Sequence, residues 1–153
     1  MSLDNTEPIQ SESNLIFVYG SLRKGFPNHY FLEQECQFIG LAKSVEKYSM
    51  TANEFIVRFG AKRAIPFVSK EPETEIMGEI YDVPNNVLKL LDLLEKHPYW
   101  YKREQVDLEL VDQKDEEGNP KIINAWLYFN EVDMGEIKIE SGDFSVHYPP
   151  RKL

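Results

Sequence analysis

The sequence predicts an α+β domain whose largely antiparallel β-sheet curls into a small barrel. Three observations predict it. Short β-branched and aromatic runs recur along most of the chain, as in Leu15-Ile16-Phe17-Val18-Tyr19. One segment only, about Asn85 to Lys96, carries a clear helical stripe. The 153 residues, 42% apolar and 12% aromatic, suffice for one core and not for two catalytic domains.

Residues 1–14 are polar and acidic and read as a mobile leader, so the domain is expected over 15–153. Leu15 to Tyr19 reads as a buried strand that stops at Gly20-Ser21 and feeds the cationic stretch Leu22-Arg23-Lys24-Gly25. Asn28 to Gln37 is weakly helical, and Phe38 to Arg58 alternates enough for one or two strands. Pro66-Phe67-Val68 and Ile76 to Val83 are further strands, separated by an acidic turn at Glu71-Pro72-Glu73. The helix from about Asn85 to Lys96 has Pro84 at its start, and Pro98 biases His97 away from helical angles. Val106, Leu108 and Leu110 alternate with polar residues, and Ile122 to Phe129 forms a second strand beyond the turn at Asp115–Pro120, which predicts a hairpin.

A formal charge of −9 repels nucleic-acid phosphates and anionic membrane surfaces, so neither is expected as a partner. The lone Cys36 cannot close an intramolecular disulfide, and His29, His97 and His147 offer no short-spaced ligand pair, so no metal is expected. No apolar run approaches the roughly 18 residues of a membrane span, and the start of the chain lacks a signal-peptide pattern. A cytosolic location is expected. Oligomeric state is not legible.

With Val87 set at 0° and about 100° per residue, Leu94, Val87, Leu91 and Leu88 fall at roughly 340°, 0°, 40° and 100°, one core-facing stripe. Glu95 falls at roughly 80°, inside it. A carboxylate aimed at the core must be paired, neutral or facing a cavity. Desolvation and the negative end of the helix dipole would both raise its pKa, as a base working near neutral pH requires. The competing reading bends Glu95 outward at the helix end or pairs it with Arg103.

In the loop, Gly20 is expected to adopt a positive φ and free successive N–H groups to bind an anion, with Arg23 and Lys24 adding positive potential for a carboxylate. An ordinary β-turn with solvated basic residues is the alternative. Neither a Walker loop nor a dinucleotide fingerprint is present. Ser21 lacks a nucleophile elbow and reads as a loop hydrogen-bonding residue, and Cys36 as a core or helix residue. Tyr99, Trp100 and Tyr101 either line a pocket or pack beside the sheet, while Tyr128 reads as structural.

Four stretches together resemble the γ-glutamylcyclotransferase superfamily, nearest its γ-glutamylamine cyclotransferase (AIG2-like) branch: Phe17-Val18-Tyr19-Gly20-Ser21-Leu22-Arg23-Lys24-Gly25 with Pro27-Asn28-His29, Gly78-Glu79-Ile80-Tyr81, Leu91-Asp92-Leu93-Leu94-Glu95 followed by Tyr101-Lys102-Arg103, and the ending Tyr148-Pro149-Pro150-Arg151. Lys43 to Lys70, which by the resemblance should supply pocket walls, follows the family pattern only loosely. The resemblance implies a small mixed, largely antiparallel β-barrel with flanking helices, a substrate-binding loop at Tyr19, Gly20, Ser21 and Leu22, and a proton acceptor at Glu95. It also implies a small γ-glutamyl substrate and a cyclisation that needs no cofactor. The substrate α-amine attacks its own γ-amide carbonyl, closing 5-oxoproline and expelling an amine such as lysine from γ-glutamyl-ε-lysine. A γ-glutamyl dipeptide as substrate, or a non-catalytic binding module on the same fold, are the alternatives.

Overall fold

β1 (Asn14–Val18) is buried on both faces, which is why it reads as an unbroken apolar run. Phe17 and Tyr19 join one core cluster, while Ile16 and Val18 point to a second. The structure, a computed structural model, describes residues 13–150, so residues 1–12 of the expected leader lie outside the described residues. Five strands close a barrel in the order β1, β5 (Met77–Val83), β2 (Gln37–Ser44), β6 (Lys102–Lys114), β7 (Pro120–Phe129). All pairs are antiparallel except β7 with β1, and that parallel seam makes the barrel mixed.

A second sheet packs β4 (Lys62–Thr74) on β3 (Tyr48–Ile56), and β3 on the two-residue β8 (Ile137–Lys138). The expected turn at Glu71-Pro72-Glu73 does not end β4. The strand continues, but its pairing jumps from Ser69 opposite Ser49 to Thr74 opposite Tyr48, so residues 70–73 bulge out of the ladder. Pro72 therefore costs no ladder hydrogen bond, on a strand that pairs with another strand along one edge only. The weakly helical Asn28–Gln37 stretch is reduced to a 3₁₀ turn over His29–Leu32.

One core cluster fills the barrel and its contact with the second sheet, around Phe17, Met50, Ile80, Leu108 and Leu127. The other lies outside the barrel wall, where α1 (Asn85–Leu94) lays Val87, Leu88 and Leu91 against Ile16, Val18, Tyr81 and Val83. Burying a stripe of this kind stabilises by about 1.5–3 kcal/mol per large side chain. A one-turn helix, α2 (Phe144–His147), is capped by the Asp143 side chain accepting from the Ser145 N–H and follows β8. No helix among the described residues is long and apolar enough to cross a membrane.

Candidate active site

α1 ends where Glu95 begins to matter. Lys96 takes a left-handed φ of 54°, its N–H donates to Leu93 O, and the His97 N–H reaches back to Asp92 O, a Schellman closure with lysine where glycine is usual. The helix thus stops at Leu94 rather than running to Lys96. Glu95 is its C-cap, held by its own N–H on Leu91 O and by the Tyr101 N–H on its carbonyl.

The Glu95 side chain does not bend outward. It lines a cavity of about 510 Å³ together with Tyr19, Gly20, Ser21, Leu22, Pro66, Tyr101 and Tyr128. Nor does it pair with Arg103, whose guanidinium is taken by both carboxylate oxygens of Asp92 at 2.8 and 3.0 Å and lies over the Trp126 ring. Three phenols border Glu95, and each donates its proton elsewhere: Tyr19 to Tyr128 O at 2.6 Å, Tyr101 to Pro66 O at 2.7 Å, and Tyr128 to Asp92 Oδ1 at 2.7 Å. Among the described residues no group hydrogen-bonds the Glu95 carboxylate. Burial without a compensating partner pushes it up to about 7. Burial, and then the nearby acidic groups, likewise raise Tyr19 and Tyr101, which stay neutral donors. Asp92, on the same helix, shows the contrast: burial acts to raise it, but bonds from Arg103 and Tyr128 outweigh burial and hold it below the usual range.

The loop after β1 is built differently from the expectation. Gly20 does not have a positive φ; its role is close approach, since a Cβ there would stand 2.6 Å from the Pro66 ring. The left-handed glycine of the loop is Gly25, at φ 91°. Arg23 is also not a free cation. It is 8% exposed and bonds Glu79 Oε2 at 3.1 Å and Asp143 Oδ1 at 2.9 Å, while the Lys24 N–H donates to Glu79 Oε1. The Arg23 side chain and the Lys24 backbone N–H therefore fasten the loop to β5 and to Asp143, and neither basic side chain is among the cavity-lining residues. Asn28 clamps Ser21 through its side chain at 2.9 Å and its N–H, and the His29 ring meets Leu22 O at 3.0 Å. Ser21 and Leu22 keep N–H groups without an acceptor among the described residues, so anion-binding capacity resides in backbone amides.

All five residues singled out in the sequence line this one cavity. Trp100 and Tyr101 line it too, whereas Tyr99 is 86% exposed and takes no part. Tyr128 does more than pack, and Phe55, Val57 and Lys62 to Pro66, all from the Lys43–Lys70 stretch, form a further wall whose individual residues no motif marked. Cys36 packs half-buried against the outer cluster, and burial pushes its thiol up to about 11, an unreactive state.

The model of the family described as "Gamma-glutamyl cyclotransferase, AIG2-like" matches residues 16–146. A Methanocaldococcus jannaschii protein provisionally designated a gamma-glutamylcyclotransferase is 42% identical over 130 residues, 84% of this chain and 93% of its own. The Danio rerio gamma-glutamylaminecyclotransferase C is 37% identical over 119 residues, 74% of this chain and 72% of its own. The crystal structure of an AIG2-like protein from Mus musculus superposes with a TM-score of 0.69 at 24% identity, over 93% of this chain and 99% of that one, a likeness of fold.

Proposed function

Because the chain belongs to the gamma-glutamyl cyclotransferase, AIG2-like family of enzymes, we propose that it is a γ-glutamylamine cyclotransferase acting at the cavity shared by Glu95 and the Tyr19–Leu22 loop. The observation that carries this reading is the Glu95 carboxylate: it faces the cavity, has no partner among the described residues, and is poised near 7. A group so tuned can accept a proton and give it back at neutral pH.

In the proposed reaction the free amides of Ser21 and Leu22 hold the carboxylate of the glutamyl end, close under Gly20, where nothing larger would clear Pro66. Glu95 takes a proton from the substrate α-ammonium. The freed amine attacks the γ-carbonyl carbon, forming the ring C–N bond of 5-oxoproline. The bond to the departing nitrogen then breaks with its electron pair as Glu95 returns the proton to that nitrogen, while the ring nitrogen releases its second surplus proton, which the freed amine takes up to leave as an ammonium ion. Protons pass from one nitrogen to the other, so the balance requires no cofactor. Holding amine and carbonyl in one chain at attack distance supplies effective molarities of about 10⁵ M or more. Tyr19, Tyr101 and Tyr128, their protons spent on fixed acceptors, wall the base without quenching it.

Leaving groups joined through a simple or side-chain amine, rather than through an amino acid's α-amine, are supported by the zebrafish relative named for that activity and by the apolar lining of Phe55, Val57, Ile65 and Trp100. The lone, unreactive Cys36 accords with a cytosolic setting. Incubation with γ-glutamyl-ε-lysine, γ-glutamyl-alanine and glutathione, followed by measurement of 5-oxoproline, tests the reading. Release from the first, at least tenfold faster than from the other two, is expected. Preference for the α-linked dipeptide would assign the other substrate class, and release from none would end the assignment.

A further inference from the structure

The far wall of the cavity carries an arginine that the proposed chemistry leaves idle. Arg63 lies on β4, half-buried, among the cavity-lining residues. Residues 63, 65 and 67 share one face of the strand. On that face Phe67 stacks on Tyr101 with centroids 6.0 Å apart, and Ile65 packs in the cluster that holds Leu94 and Trp100. Arg63 therefore faces the side of the cavity on which Glu95 stands. Burial decreases along the strand from Phe67 to Lys62, so Arg63 sits toward the mouth.

Its charge is uncommitted. Arg23 is taken by Glu79 and Asp143, Arg103 by Asp92, and the neighbouring cavity cation Lys62 approaches Glu54 at 3.5 Å. Arg63 meets no carboxylate among the described residues. In a chain of net charge −9, an arginine directed at a cavity and left unpaired is a ready receptor for an acid.

Distance decides which acid. The Tyr101 hydroxyl, beside Glu95, binds the Pro66 carbonyl, and Arg63 stands three residues outward, about 10 Å along a strand. The glutamyl carboxylate is already taken, in the proposed reaction, by the Ser21 and Leu22 amides. What remains is the departing group. In an α-linked dipeptide the leaving nitrogen is two bonds from its carboxylate, about 2.5 Å, whereas in the ε-linked lysine it is six bonds away, about 7 Å when extended. We infer that Arg63 binds a carboxylate at the far end of the departing amine, and so selects γ-glutamyl amides of long-chain amino acids linked through the side-chain nitrogen. The inference rests on the cyclotransferase reading above and names the determinant of its substrate class.

A substrate pair that differs only in that carboxylate tests it: γ-glutamyl-ε-lysine and γ-glutamyl-cadaverine, assayed by 5-oxoproline release with the parent, Arg63→Gln and Arg63→Lys. The parent is expected to favour the lysine substrate, mainly through KM. Arg63→Gln should lower the lysine-to-cadaverine ratio of kcat/KM about 10- to 100-fold, and Arg63→Lys, with charge but no planar fork, should restore part of it. A ratio within two-fold of the parent's in Arg63→Gln overturns the inference, whether both substrates suffer equally or neither does, and so does a parent that favours cadaverine. Release from neither substrate by the parent is a separate result, which removes the γ-glutamylamine reading and this inference with it.

Discussion

Replacing Glu95 with Gln should make the enzyme inactive and, above neutral pH, more stable. The side chain has no hydrogen-bond partner among the described residues, and burial lifts its carboxyl from 4.5 to about 7. A raised pKa means that the folded state binds the proton more tightly than the unfolded chain. Ionisation therefore works against folding, and the cost accumulates as pH rises from about 4.5 to about 7 and is complete above that. At 1.36 kcal/mol per pKa unit the full cost is no more than about 3.4 kcal/mol, reduced by whatever solvent the cavity admits. Glutamine is the permanently neutral isostere. Urea unfolding of parent and Glu95→Gln at pH 4.5 and pH 8.5 should give equal stabilities at the lower pH and a gain of about 1–3 kcal/mol for the variant at the higher. Taking the difference at each pH cancels the other titrating groups. Turnover should fall by about 10² or more, while 5-oxoproline still binds within a few-fold. The acid limb of the parent's kcat/KM should lie near 7. A variant less stable than the parent at pH 8.5, or an NMR titration placing Glu95 at or below 4.5, would refute the desolvated-base argument.

Gly20→Val is expected to abolish measurable 5-oxoproline binding by calorimetry and to lower Tm as well, because its Cβ would meet the Pro66 ring at 2.6 Å and force the loop and β4 apart; unaltered affinity would make the loop an ordinary turn. Asp92→Asn should cost about 2 kcal/mol by chemical denaturation at neutral pH, since it strips a bidentate partner from Arg103 and a charged acceptor from the Tyr128 hydroxyl. That loss should run opposite to the Glu95 effect: the Asp92 pKa is lowered in the fold, so its contribution is present above 3.8 and disappears as pH falls through the folded value. A cost at pH 7 no larger than the cost near pH 2 would show that the ion pair contributes nothing.

Local pattern alone determined most of the barrel strands, where the one amphipathic helix lies, and that Glu95 falls within its apolar stripe, because the side-chain periods of 2 and 3.6 are properties of the chain itself; β8 and the length of β4 were not legible. The motifs at Tyr19–Leu22 and Glu95 also identified the residues that meet in the cavity, although 75 positions apart. Tertiary structure decided the partners. Arg103 was available to Glu95 by sequence, yet β6 and β7 bring it to Asp92 and Tyr128, and that choice leaves Glu95 unpaired. Arg23 looked like an anion receptor until Glu79, 56 residues away, and Asp143, 120 residues away, closed on it. Gly20 proved necessary for the nearness of Pro66, a contact between β1's loop and a strand of the other sheet that no φ preference encodes. Glu71-Pro72-Glu73 has turn composition, but the pairing of β3 on both sides absorbs it as a bulge. A charged or special residue advertises that it needs a partner or a space; which one it finds depends on packing between segments distant in sequence, where burial and ion pairing are decided.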